Sequence, residues 1–269
     1  MLSYSCRKER DRDGKPEENE MMKKAAERKQ NLMTILVVLM VFAAVVFMGS
    51  VLTASADTEA DAHLVQNMQK VQKTVDMSGY QLNFTGDAAK KEGQYIFQIQ
   101  PENPELFYVS SARGWAFYRK NNGDVTKVQV GYTMSGSEAA KAKVQFDNAV
   151  SWIVKKAEKK SSQRAQVEVV NDEIKKATEY DYSYARKNRY NAYGALVEGK
   201  AVCMGYATAF KAAMDRLGIS NGYRLNRDGS HIWNTVRIGG KTLNVDVTWN
   251  DTTRSNRYLL TKSHTTKAL

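Results

Sequence analysis

Gly199-Lys200-Ala201-Val202-Cys203-Met204-Gly205-Tyr206-Ala207 is followed by Ser230-His231-Ile232-Trp233-Asn234 and then by Asn244-Val245-Asp246-Val247-Thr248-Trp249. A cysteine, a histidine and an aspartate stand in that order, one to a block. Thiol acyl-transfer chemistry uses these three groups: the thiolate attacks, the imidazole takes and returns a proton, and the carboxylate fixes the imidazole tautomer. Singly, each residue has an ordinary reading. A lone cysteine packs as a small hydrophobe, a strand histidine is a satisfied polar group, and an aspartate before Thr-Trp is a cap. Their relative placement decides between the readings.

Ile238-Gly239-Gly240-Lys241 reads as a two-residue hairpin turn, because both central positions of a type I′ turn need positive φ and glycine takes it without strain. Pairing Ile238 with Lys241 sets Trp233 opposite Asp246 and His231 opposite Thr248. Side chains alternate with period two, so His231, Trp233, Arg237, Asn244 and Asp246 share one face. Ile232, Val236, Ile238, Leu243, Val245 and Val247 form the opposite, core face. His231 and Asp246 become diagonal cross-strand neighbours, with Cβ atoms about 7 Å apart or less.

From Cys203, apolar residues recur at Tyr206, Ala207, Phe210, Met214 and Leu217, and Gly218 stops the pattern. This predicts a helix of about four turns with a glycine cap and with Cys203 at its N-terminus. The positive end of the helix dipole and a neighbouring imidazolium both favour a thiolate there.

Together, Gly-Lys-Ala-Val-Cys-Met-Gly-Tyr-Ala, His-Ile-Trp-Asn and Asp-Val-Thr-Trp resemble the three signature blocks of the bacterial transglutaminase-like superfamily, which is related to papain-type cysteine peptidases. The resemblance spans about residues 191–260. It implies Cys203 as nucleophile, His231 as general base and acid, and Asp246 as the residue that orients His231. Met204 stands where relatives often carry a polar residue such as glutamine, and Val247 where proline is frequent. The implied fold is α+β: a transglutaminase-like, papain-like core over 135–269, in which the helix bearing Cys203 packs on an antiparallel sheet bearing His231 and Asp246. The implied activity is cysteine acyl transfer on amide bonds of peptides or proteins through a thioester, ending in hydrolysis or cross-linking. The alternative is a non-catalytic binding or scaffolding module at the cell surface. Backbone N–H of Cys203 is the expected first oxyanion donor, with Asn191 and Tyr193 as candidates for the second.

Of the 269 residues, 40 are Lys or Arg and 29 are Asp or Glu, a net charge of +11. Residues 1–30 hold nine basic and seven acidic residues, so most of the excess lies on the rest of the chain. That balance suits anionic surfaces such as cell-wall polymers or lipid headgroups. The basic residues are spread over helices rather than interleaved with aromatics, which argues against a nucleic-acid partner. Residues 1–31 are polar and without apolar period, predicting disorder. Leu32 to Leu52 is uncharged and long enough to cross a bilayer as a helix. Lys23, Lys24, Arg28 and Lys29 precede it and Asp57, Glu59 and Asp61 follow, which places the folded region outside the cytoplasmic membrane. Ala54-Ser55-Ala56 is an A-x-A cleavage signal, so the expectation is an exported chain, either anchored through 32–52 or secreted after Ala56. Met21-Met22 offers an alternative start for translation. Cys6 and Cys203 are the two cysteines, and after export past Cys6 the remaining thiol has no intramolecular disulfide partner.

Residues 57–134 predict a small mixed module: a helix through Leu64, Met68, Val71 and Val75 ending near Ser78-Gly79, then strands at 94–100, 106–110, 115–119 and 125–132, with a turn at Asn121-Asn122-Gly123-Asp124. Pro101 to Pro104 reads as a loop. Ser135 and Glu138 form a capping box before a helix to about Lys160, and Val167, Val170, Ile174 and Ala177 mark another. Tyr180, Tyr182, Tyr184, Tyr190 and Tyr193 are candidates to line a groove toward Cys203. His63, His231 and His264 lie far apart in sequence and no histidine or cysteine pair has ligand spacing, so no metal and no other cofactor is expected.

Overall fold

The computed structural model describes residues 58–264. The expectations for residues 1–31, for a membrane-crossing segment at 32–52 and for cleavage after Ala56 fall outside that range. Among the described residues no helix is long and apolar enough to cross a membrane.

Helix α1 (Thr58–Gln69) buries Ala60, Leu64 and Met68 at four-residue spacing. It ends earlier than its apolar pattern suggests, because Thr74–Asp76 leaves as strand β1. A three-stranded antiparallel sheet follows, with β3 (Val125–Gln129) in the centre between β1 and β2 (Ala116–Arg119). The expected turn joins β2 to β3, with Gly123 at φ +89°.

Two strand expectations are overturned here. Residues 94–100 form the second half of helix α2 (Ala88–Glu102). The alternation of Tyr95, Phe97 and Ile99 suggests period two, but the Asp87 side chain accepts from the Lys90 N–H and starts a helix in good helix formers. Phe97, Gln100 and Pro101 then share a buried face. Pro101 sits in the last turn of that helix rather than in a loop. Residues 106–110 are a 3-10 turn (Pro104–Leu106) followed by an isolated bridge from Val109 to Tyr132. The Gln100 amide donates to the Phe107 and Val109 carbonyls, satisfying them in place of a strand ladder.

The capping box at Ser135 and Glu138 opens α3 (Gly136–Ala157), and α4 (Gln163–Ala177) packs beside it. A short parallel pair, β4 (Glu179–Tyr180) with β5 (Lys200–Ala201), encloses α5 (Ala192–Leu196). Helix α6 (Cys203–Arg216) ends as its pattern predicts, with Gly218 at φ +65°. An antiparallel sheet in the order β6 (Asn221–Leu225), β7 (Ile232–Ile238), β8 (Lys241–Val245), β9 (Leu259–Thr261) receives α6 on its Ile232/Val236/Leu243/Val245 face. The fold is α+β, and one cluster of buried side chains runs from Ala60 to Leu260 without a break at residue 135.

Candidate active site

Cys203 is the first residue of α6, with Val202 as its N-cap in extended backbone. The approach to that position is fixed from behind. Val202 donates to the Arg189 carbonyl at 2.9 Å, and a Cβ on Gly205 would lie 2.7 Å from the same carbonyl oxygen, so the block Cys-Met-Gly needs its glycine for close backbone approach. Tyr206, fully buried, donates to the Asp251 carboxylate at 2.6 Å and ties α6 to α7 (Val247–Thr252). Asn234 in β7 donates to the Ala207 carbonyl and ties α6 to the sheet. Cys203 packs with Phe97, Met204, Ala207 and Ile232, so α2 supplies one wall of the site.

The hairpin is observed in the expected register: Ile238 pairs with Lys241, Val236 with Leu243 and Asn234 with Val245, and Gly239 and Gly240 have φ of +57° and +74°. The ladder stops there. Residues 246–248 do not continue the strand, as the pairing of His231 with Thr248 requires. Asp246 instead caps α7, its Oδ1 accepting from the Trp249 N–H at 2.9 Å. Asx side chains compete with ladder bonds by capping in this way. The other carboxylate oxygen still meets the histidine: His231 Nε2 donates to Asp246 Oδ2 at 2.6 Å. The backbone of His231 is held by Asn226, whose Oδ1 accepts the His231 N–H.

With Nε2 turned to Asp246, Nδ1 is the ring nitrogen left for the thiol, and Cys203 is close enough to the imidazole to raise its proton affinity. Cys203, His231 and Asp246 are 6 %, 8 % and 0 % exposed. Burial opposes an imidazolium at His231, but the bonds to Asp246 and Cys203 outweigh it and push the imidazole up to about 10. Burial likewise opposes the Asp246 carboxylate, yet the bonds from His231, His264 and the Trp249 N–H hold its carboxyl below the usual range. The two shifts have one origin, an imidazolium facing a carboxylate in a dry pocket.

Two site features, the stacking of Trp249 and the arrival of His264, were not anticipated from the sequence, whereas Trp233 was expected on the His231 face. Trp249 stacks on the His231 ring at 4.5 Å and 4°, and Trp233 flanks it at 5.9 Å. His264, far from His231 in sequence, is brought to the same carboxylate: its Nε2 lies 2.9 Å from Asp246 Oδ2. No local pattern signals this, because three-residue β9 beside β8 carries it there. The two candidates for a second oxyanion donor are engaged elsewhere. Asn191 caps α5 and bonds the Phe107 carbonyl, and the Tyr193 hydroxyl donates to Gln145. Of the five tyrosines, Tyr190 packs in the Cys203 cluster and Tyr180 lies against Tyr206 of α6 at 6.5 Å between centroids, whereas Tyr193 stacks on Phe107 at 4.6 Å. Among the described residues no group of three or more His, Cys, Asp or Glu is placed to hold a metal ion.

Residues 150–249 match the family model of the transglutaminase-like superfamily. Among solved structures, a TGase is similar over 58 % of this chain and 48 % of its own, at 19 % identity and a TM-score of 0.35. A chain from Cytophaga hutchinsonii, described as a candidate cysteine protease, is similar over 52 % of this chain and 63 % of its own, at 16 % identity and a TM-score of 0.33. The alignments thus span less than two thirds of either structure. A comparison with curated proteins finds no match.

Proposed function

We propose that this chain, with its transglutaminase-like domain, is a cysteine acyl-transferring enzyme that acts on amide bonds of peptides or proteins. The observation that carries the reading is the 2.6 Å bond from His231 Nε2 to a fully buried Asp246, with Cys203 at the head of α6 packed on Ile232, the next residue after His231. In the proposed reaction the Cys203 proton already rests on His231 Nδ1, and the thiolate sulfur attacks the amide carbonyl carbon. Negative charge collects on the carbonyl oxygen, near the N–H of Cys203, which as the first residue of a helix has no intrahelical acceptor. Collapse breaks the C–N bond, and the imidazolium returns its proton to the departing nitrogen, leaving a thioester on Cys203. Water or an amine then attacks that thioester with His231 again as base, giving hydrolysis or a new amide. Asp246 keeps the proton on Nε2 throughout, so that Nδ1 stays the working nitrogen.

The test is alkylation by iodoacetamide at about pH 6, where an ordinary thiol of pKa ~8.5 is almost wholly protonated. Rapid labelling mapped to Cys203, lost in a His231→Gln variant, is expected. A thiol that stays inert until alkaline pH in both proteins would refute the nucleophile and favour a binding module that keeps only the fold.

The same proposal places the folded region outside the cytoplasmic membrane, supported by the basic residues before Leu32 and the acidic ones after Leu52. Protease added to intact cells should degrade an epitope placed after Leu269, and protection of that epitope would contradict export.

A further inference from the structure

Asp246 Oδ2 accepts two N–H groups, from His231 Nε2 at 2.6 Å and from His264 Nε2 at 2.9 Å. The His264 side chain is 2 % exposed, stacks on Trp233 at 4.1 Å and 10°, and lies 6.5 Å from the His231 ring centroid. It stands outside the segment that matches the transglutaminase-like model. Its Nδ1 is buried without a hydrogen-bond partner, so the ring carries a desolvation penalty that the bond to Asp246 offsets.

Aiming the carboxylate does not require this second imidazole. The Trp249 N–H already holds Oδ1 at 2.9 Å, at the head of α7. What the second donor alters is the charge left on Oδ2, since an oxygen shared between two N–H groups is a weaker acceptor for each. A His231 imidazolium is then held less firmly than it would be by an undivided carboxylate. A general acid works best with a proton affinity near the operating pH, and dividing the carboxylate moves His231 toward that range from above.

We propose that His264 is a positioning residue that acts on His231 through Asp246, dividing the carboxylate so that the proton taken from Cys203 can be passed on. The proposal rests on the Cys203–His231–Asp246 reading above. The titratable groups around the pair are Asp246 itself, Cys203 on the far side of His231, Tyr258 beside His264 at 5.5 Å between centroids, and Tyr180 and Tyr190 on the Cys203 side.

The test follows the His231 ring by NMR across pH, with Cε1 of the histidines labelled, in the full chain and two variants. His264→Phe keeps a ring against Trp233 and Trp249 and deletes the N–H, while His264→Gln keeps an N–H of similar reach. The His231 midpoint should rise by about one pH unit in His264→Phe and stay near the wild-type value in His264→Gln. Should His264→Phe not fold, His264→Asn, whose amide stops short of Oδ2, is read in the same way. A midpoint that stays or falls when the donor is removed would overturn the proposal. Alkylation of Cys203 at about pH 6 is run alongside. An inert wild-type thiol refutes the nucleophile reading and with it the purpose assigned to His264, whereas a reactive thiol with an unmoved midpoint refutes His264 alone.

Discussion

His231 Nε2 meets Asp246 Oδ2 at 2.6 Å although the ladder that joins their strands ends one pair earlier, at Asn234 and Val245. Asp246 therefore does two jobs with two oxygens: Oδ1 starts α7 and Oδ2 holds the imidazole. Asp246→Asn separates them. The asparagine oxygen can still cap Trp249, so the fold should survive with Tm within a few degrees, but an amide N–H facing Nε2 forces the ring into the other tautomer. Alkylation of Cys203 at about pH 6 should fall by at least about tenfold. Unchanged labelling would remove Asp246 from the proposed role.

Gly239 and Gly240 test the register. A Cβ at either position meets nothing within 4 Å, so any effect of substitution is conformational and not steric crowding. Replacing both with valine forces a β-branched residue into positive φ twice, costing roughly 1–2 kcal/mol at each site. Gly239→Asn leaves an Asn-Gly pair that suits the same turn. The double valine variant should lose Cys203 reactivity and thermal stability, and Gly239→Asn should keep both. Equal behaviour of the two would mean the turn does not set the distance from His231 to Asp246.

Gly205 tests the seat of the nucleophile. A methyl group there would press on the Arg189 carbonyl at 2.7 Å, and backbone cannot retreat as a side chain can. Gly205→Ala should destabilise by about 1–3 kcal/mol and slow Cys203 alkylation, because α6 must shift at its first turn. An alanine variant with wild-type melting and labelling would show that the close approach is not needed.

The His231–Asp246 pair also makes a signed prediction for stability. The folded-state imidazole is raised above its ordinary 6.5 to about 10, so its contribution is full below about pH 6.5 and is lost as pH rises toward 10. Asp246 is shifted the other way, so its contribution is present above its ordinary 3.8 and is lost as pH falls through the lower folded value. The Tm difference between wild type and a His231→Leu variant should therefore narrow on going from neutral to alkaline pH. A difference that is flat across that interval would contradict the coupling.

What could be read in the chain was local and periodic. Gly239-Gly240 dictates the turn, the alternation of Ile232, Val236, Leu243 and Val245 dictates the core face, and the apolar spacing after Cys203 dictates α6. Those three constraints bring the proposed catalytic residues together. What could not be read depends on competition between near-equal patterns or on distant pairing. Tyr95, Phe97 and Ile99 alternate like a strand, yet Asp87 caps a helix upstream and the helix runs through them. Asp246 looked like a strand residue, and its own side chain ended the strand. His264 depends on β9, three residues long, docking at the edge of β8, a pairing that no periodicity encodes.

Cys203 is proposed to accept an acyl group and pass it on, and an activated ester measures this without knowledge of the natural substrate. The protein is mixed with p-nitrophenyl acetate at neutral pH, quenched at short times, and its intact mass and peptide map are taken with and without a primary amine. Expected are a stoichiometric burst of p-nitrophenol, one acetyl group on Cys203, and its release to water or to the amine, with no burst in Cys203→Ala and a burst slowed by orders of magnitude in Asp246→Asn. Acetylation confined to lysines, or a burst that persists in Cys203→Ala, would contradict it.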